Sequence, residues 1–167
     1  MHNELFSKSS LKYAHHMKDY REFRFGWLIF VFTIPIQILI AVFYFSGIGD
    51  NPLSANDFFV VNLVILAIFI LFYGLTTKIS NTTIRIAFGI GLIRKRIRLS
   101  RIKSVEAVKT PWYYGWGIRF IPNGMLYNIS GSEGVELKFA DTNRVIRIGT
   151  KDALNLKQEI EKRLSSK

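Results

Sequence analysis

The chain of 167 residues contains no cysteine, few acidic residues and two long stretches without any charged side chain. Without cysteine it can form no disulfide, no thiolate metal site and no cysteine nucleophile. All three histidines lie within the first 16 residues, and no Walker glycine loop or metal-ligand spacing follows them. We therefore expect no enzymatic activity, no metal and no cofactor.

The two uncharged stretches run from Gly26 to Ile48 and from Phe58 to Thr77. About 20 helical residues cross the ~30 Å hydrocarbon core of a bilayer. A cleaved signal peptide would have one shorter apolar run, and a buried soluble hairpin would need a larger core around it than this chain supplies. The sequence therefore predicts a transmembrane hairpin over residues 26–77, with helices over 26–48 and 58–77.

Charge is distributed unevenly around this predicted hairpin. The chain has 23 Lys and Arg against 12 Asp and Glu, a net charge of +11. Five of the basic residues precede the first stretch and the other 18 follow the second, whereas the loop between them has Asp50 and Asp57 and no basic residue. Because basic residues stay on the cytoplasmic side, we expect a multi-pass protein of the inner (cytoplasmic) cell membrane with both termini in the cytoplasm.

Beyond the second stretch the apolar residues alternate with polar ones, as in strands. Ile84, Ile86 and Phe88 share one face, and Gly89 and Gly91 supply a turn before the next alternating segment. Further short apolar segments, separated by Gly, Pro, Asn and Asp, bring the total to about seven strands. This pattern predicts a small antiparallel β domain over residues 78–167, and leaves residues 1–25 as a cytoplasmic N-terminal segment.

After Gly149 the apolar spacing becomes helical. Ala153, Leu156, Ile160 and Leu164 fall on one face, and Thr150 or Asp152 can cap the start. The β domain is therefore expected to close with a C-terminal amphipathic α-helix.

The order of these elements and four local sequences resemble those of a known family. The sequences are Gly115-Trp116-Gly117-Ile118-Arg119, Gly124 to Gly131, Val135-Glu136-Leu137 and Arg147-Ile148-Gly149-Thr150. From residue 26 onward the chain is similar to small bacterial membrane proteins in which two transmembrane helices precede a bacterial pleckstrin-homology-like domain. The resemblance implies a fold and membrane attachment, and no catalytic residues carry over from it. Since pleckstrin-homology-like folds serve lipid binding, peptide binding and oligomerisation, the fold leaves the function open.

A basic cluster offers the most distinctive candidate site. If the segment from Leu92 is a strand, then Arg94, Arg96 and Arg98 project from one face, and Arg101 follows them. Guanidinium groups suit phosphate oxygens, so these four residues are a candidate contact for anionic lipid headgroups. The alternative is a solvated face that the topology keeps inside. We do not expect nucleic acid, because the cluster has no aromatic residues for base stacking.

Two further groups of residues are candidates for contacts. Trp112, Tyr113, Tyr114 and Trp116 could form a loop that rests at the membrane interface or packs within the domain. Gln37 and Asn62 lie part-way through the two apolar stretches, where an interhelical hydrogen bond would satisfy both amides.

These observations lead to an ordered set of functional hypotheses. The first is a membrane-anchored, non-enzymatic cytoplasmic module that binds a protein partner or forms a homo-oligomer, with its basic face against lipid. The second is a regulatory membrane protein that senses anionic lipid. The third is a small subunit of a transporter or membrane complex.

Overall fold

The computed structural model describes residues 19–47 and 52–166. Most of the predicted N-terminal segment, the end of the first predicted span at Ile48 and the loop residue Asp50 therefore lie outside the described residues. The three α-helices in the described part are α1, Trp27–Ser46, α2, Ala55–Phe72, and α3, Ala153–Ser165.

Helices α1 and α2 confirm the two long apolar helices that the sequence predicts. Both are long and apolar enough to cross a bilayer, and neither contains a buried residue. Helix α2 starts three residues before its predicted start, because Ser54 Oγ accepts a hydrogen bond of 3.2 Å from Asp57 N and caps it. It ends five residues before its predicted end at Thr77, because the chain becomes a strand at Gly74.

Nine strands lie in the described residues. They are β1, Tyr20–Phe25; β2, Gly74–Ile79; β3, Thr83–Phe88; β4, Ile93–Arg98; β5, Ile102–Lys109; β6, Gly117–Ile121; β7, Gly124–Asn128; β8, Glu133–Phe139; and β9, Val145–Gly149. The sequence predicts about seven because it misses β1 and β2. Strand β1 is short and partly polar, and β2 is uncharged up to Lys78, so hydropathy assigns it to the preceding helix.

The first sheet has the order β1-β2-β3-β4, and each strand is antiparallel to its neighbour. Helices α1 and α2 together form an insertion between the paired strands β1 and β2. At the base of this insertion Gly26 N donates a hydrogen bond of 2.9 Å to Tyr73 O. This sheet begins at Tyr20 and resumes at Gly74, so it extends beyond residues 78–167, to which the sequence prediction confines the β domain.

The second sheet has the order β5-β8-β9-β7-β6. Its pairs are antiparallel except for β7 and β9, which are parallel, so the expectation of a purely antiparallel domain is corrected. The parallel pair arises because the β6–β7 hairpin joins the sheet beside β9, the last strand. Gly124 permits this approach, since a side chain there would meet the backbone of Val145.

Helix α3 packs across strands β5 and β8, and its apolar face completes the domain core. Ala153, Leu156 and Ile160 are buried there, as the helical spacing predicts. Asp152 caps the helix by accepting a hydrogen bond of 2.9 Å from Asn155 N. The core lies between the two sheets and α3, and it includes Ile84, Leu137 and other fully buried aliphatic residues.

Candidate functional site

The outer face of the first sheet gathers cations from all four of its strands. Buried apolar residues such as Leu75, Ile84 and Ile97 mark the inner face of β2, β3 and β4, so the alternate positions point away from the core. Together with the outward position on β1, these positions carry six exposed cations, which we call the basic face. They are Arg21, Lys78, Arg85, Arg94, Arg96 and Arg98.

Four of these cations form a continuous row across the sheet. In the strand register Arg21 lies opposite Lys78, Lys78 opposite Arg85, and Arg85 opposite Arg96. Neighbouring strands are about 5 Å apart, and like charges directly opposite each other destabilise a sheet. The row therefore has an energetic cost that a bound anion would offset.

Five cations of the basic face, all except Arg98, line a polar depression of about 620 Å³, to which Thr76 and the turn residues Gly89 and Gly91 also contribute. None of the six cations forms an ion pair with an acidic residue of the described chain. Some basic side chains elsewhere in the domain do have such partners, as in the contact of 2.5 Å between Arg147 Nε and Glu136 Oε2. The basic face thus presents unneutralised charge to solvent.

The depression is bordered by the apolar tip of the β3–β4 hairpin. Ile90 and Leu92 are 68% and 73% exposed at this tip. Gly89, with φ of +49°, lies so close to the end of α2 that a side chain there would meet the backbone of Ile70 and Leu71. The exposed apolar tip and the end of an apolar helix are therefore adjacent, with the cations of β4 immediately beyond.

Three of the four arginines predicted as a lipid contact lie together, and the fourth lies apart. Arg94, Arg96 and Arg98 share the outer face of β4. Arg101 follows in a short 3₁₀ turn, where its guanidinium is 2.7 Å from the carboxylate of Asp141 and 5.7 Å from the ring centre of Phe139. Arg101 is thus neutralised locally and is not part of the row.

The predicted aromatic loop is divided between two environments. Trp112 and Tyr113 are 81% and 67% exposed. Tyr114 packs within the domain, with the guanidinium of Arg147 5.8 Å from its ring centre. Trp116 lies beside helices α1 and α2. Packing within the domain therefore describes Tyr114, and the contact of Trp112 and Tyr113 with a membrane interface stays a prediction.

The described residues contain no hydrogen bond between Gln37 and Asn62, the pair that the sequence proposes as an interhelical contact. Asn62 Nδ2 instead donates a bond of 2.7 Å to Phe58 O, one turn earlier in its own helix. Thr33 Oγ1 similarly donates to Ile29 O at 2.6 Å. A polar side chain on an apolar helix can thus be satisfied by the backbone four residues before it.

Sequence reasoning missed Arg21, Lys78 and Arg85 as members of the basic face. Arg85 could have been found, because it alternates with the buried Ile84 and Ile86. Arg21 and Lys78 gave no such signal, because neither was assigned to a strand.

A second polar cluster fixes β1 to the other sheet. The guanidinium of Arg24, largely buried, donates to Ser130 Oγ and Glu133 O, each at 3.2 Å, and to Thr150 O. Burial lowers the pKa of Arg24, and nearby Glu22 partly opposes that shift. Glu22 accepts a bond of 2.6 Å from Thr150 Oγ1. These bonds join the segment preceding α1 to the loops that follow β7 and β9.

Comparison of the chain with protein-family models, curated proteins and solved structures gives no match. Within residues 19–47 and 52–166, no three His, Cys, Asp or Glu side chains group as ligands of a metal ion would. The site is therefore interpreted from its own geometry and charge.

Proposed function

We propose that this chain is a two-span membrane protein whose cytoplasmic β domain is pleckstrin-homology-like and binds the phosphate-bearing headgroups of anionic lipids. The fold assignment is supported by the order of elements. If the β6–β7 hairpin is set aside, seven strands and a C-terminal helix are left, which is the element order of such domains. Membrane insertion is supported by α1 and α2, which are apolar and expose all sides.

The row formed by Arg21, Lys78, Arg85 and Arg96 is the observation on which the proposed ligand rests. It brings four cations from four strands together without an acidic partner in the described chain. Arginine forks match phosphate oxygens, and basic residues at an anionic membrane surface contribute about 1 kcal/mol each.

The position of the basic face favours lipid over a soluble anion. Ile90 and Leu92 lie at the membrane end of the domain if α2 spans the bilayer, because Gly89 contacts its last turn. Apolar residues at this level would enter the interface, while Arg94 and the row behind it would lie at the depth of the headgroups.

The test measures binding of water-soluble short-chain phosphatidylglycerol and phosphatidylcholine to the intact protein in detergent, by titration calorimetry. We expect phosphatidylglycerol to bind in a salt-dependent manner and phosphatidylcholine to bind little. Replacing Lys78, Arg85 and Arg96 together by Gln removes about 3 kcal/mol, which corresponds to about a 100-fold weaker affinity.

A matched control replaces three exposed lysines away from the basic face, Lys103, Lys109 and Lys162, by Gln. This variant has the same net charge as the first and should bind nearly as well as the wild type. Equal weakening in both variants would show that overall charge, and not this face, attracts the lipid. Thermal unfolding should be nearly unchanged in both, since exposed charges contribute little to stability.

Binding of a protein partner or a second copy is a second candidate, favoured by strand β6. This strand is at the edge of its sheet, and its Phe120 is 89% exposed. Exposed edge strands can pair with another chain, and exposed aromatic residues often anchor interfaces. None of the six cations lies on β6, so the Gln variants of the basic face should leave this function intact.

A further inference from the structure

A groove separates the two long helices from part of the β domain, on a different surface from the basic face. Its walls come from the first turns of α1, the last turns of α2, and the segment that leads into β6. Its lining includes Phe32, Ile68, Phe72, Trp116, Arg119 and Ile129. Its volume of about 640 Å³ lies within the range of small-molecule sites.

The groove is held open by its surroundings. On one side Gly26 brings the start of α1 so close to the domain that a Cβ there would lie 2.6 Å from Ile129 Cγ1. On the other side the wall contains Gly115 and Gly117, whose φ of +73° and +91° lie in the left-handed region that favours glycine. Gly115 N donates a bond of 3.0 Å to Trp112 O, which fixes a turn there.

The lining is apolar except for one cation. Arg119 is the charged residue among those that form the groove, and it is exposed. Its Nε donates a bond of 3.0 Å to Trp116 O, which holds the side chain against the groove wall and leaves its terminal nitrogens available. No ion pair joins Arg119 to an acidic residue in the part of the chain that the structure describes.

An apolar channel with a cation beside it matches the two parts of a phospholipid. The groove is continuous with the exposed apolar surfaces of α1 and α2, so an acyl chain lying against the helices can enter it without crossing water. Its apolar walls offer almost no partners for water. An anionic phosphate is the complementary group for the unpaired Arg119.

We propose that this groove binds one acyl chain of an anionic phospholipid, with Arg119 contacting its phosphate. Trp116 lies against the chain, and the lipid fills the gap between the helices and the β domain. The proposal rests on the membrane insertion proposed above, but it does not depend on the basic face.

The test uses Trp116 as a reporter, because the other two tryptophans, Trp27 and Trp112, can be replaced by Phe. The intact protein is placed in nanodiscs that contain phosphatidylglycerol with brominated acyl chains, which quench nearby tryptophan fluorescence. We expect quenching of Trp116 to saturate at a low fraction of this lipid. With brominated phosphatidylcholine, quenching should instead rise in proportion to the amount present.

Two variants assign the binding to the groove. Arg119→Gln should make brominated phosphatidylglycerol behave like phosphatidylcholine, and Ile68→Phe, which adds volume to the wall, should remove the saturating component. Proportional quenching by both lipids in the parent protein would overturn the proposal, and so would an absence of quenching. Retention of saturation in Arg119→Gln would overturn the phosphate contact.

A further comparison separates this proposal from the function assigned to the basic face. The variant with Lys78, Arg85 and Arg96 replaced by Gln should keep the saturating quenching of Trp116. Its loss in that variant would show that the groove has no lipid site of its own.

Discussion

Arg21 and Arg24 lie on the same strand, β1, but their side chains are on opposite faces. Arg21 is exposed on the basic face, whereas Arg24 is buried between the sheets and donates to Ser130 Oγ and to two backbone carbonyls. Identical residues three positions apart thus have different roles, because the side chains of a strand alternate between its faces.

The same substitution at both positions tests this difference. Arg24→Met would leave the buried carbonyl of Thr150 without its Arg24 donor, at a cost of about 1–3 kcal/mol. We expect the thermal midpoint of the intact protein in detergent to fall by at least about 4 °C. Arg21→Met should change stability by no more than about 0.5 kcal/mol. An equal effect of both substitutions would contradict the role assigned to Arg24.

At the scale of elements, the insertion of α1 and α2 between β1 and β2 is the main departure from the sequence prediction. The predicted helix over 58–77 merges the end of α2 with β2, because a buried strand and an apolar helix both read as continuous hydrophobicity. Leu75 and Ile79 are buried by sheet packing, not by lipid. Only the pairing of β2 with β1 and β3 distinguishes this buried strand from a continuation of the apolar helix.

This arrangement allows the helices to be removed without breaking the sheet. Gly26 and Tyr73 are joined by a backbone hydrogen bond, so an Asn-Gly turn between them can replace residues 27–72. We expect the resulting protein, 19–26 joined to 73–166, to be soluble without detergent and to show mainly strand circular dichroism with cooperative unfolding.

A fragment of residues 78–167 is the matched comparison, and it corresponds to the domain predicted from the sequence. It lacks β1 and nearly all of β2, so Ile84 and Ile86 would lose much of the core around them. We expect it to aggregate or remain unfolded. Cooperative folding of this fragment, and not of the joined protein, would contradict the observed sheet.

At the scale of the whole molecule, the distribution of charge predicts one orientation in the membrane. The chain has no cysteine, so single cysteines at the exposed residues Leu53 and Ser100 can be labelled with an impermeant thiol reagent. In intact cells we expect Leu53→Cys to react and Ser100→Cys to react only after permeabilisation. The reverse pattern would place the β domain outside and remove it from the cytoplasmic lipid surface.

The sequence by itself determined the elements whose signals are local. Two uncharged stretches predicted α1 and α2, helical spacing predicted α3 with Thr150 or Asp152 as its cap, and alternation predicted β3 and β4 with three of the arginines on one face. Each of these signals comes from residues that are close together in the chain, so it can be read from the order of residues alone.

The tertiary structure alone decided what depends on residues distant in the chain. β1 pairs with β2 across the inserted helices, and that pairing completes the row by placing Arg21 beside Lys78. The hydrogen bonds of Arg24 reach residues more than 100 positions away. The groove beside Trp116 forms because segments from both helices and from the β domain meet there. Strand pairing and packing bring these groups together, and the local pattern of the sequence carries no information about which distant segment becomes a neighbour.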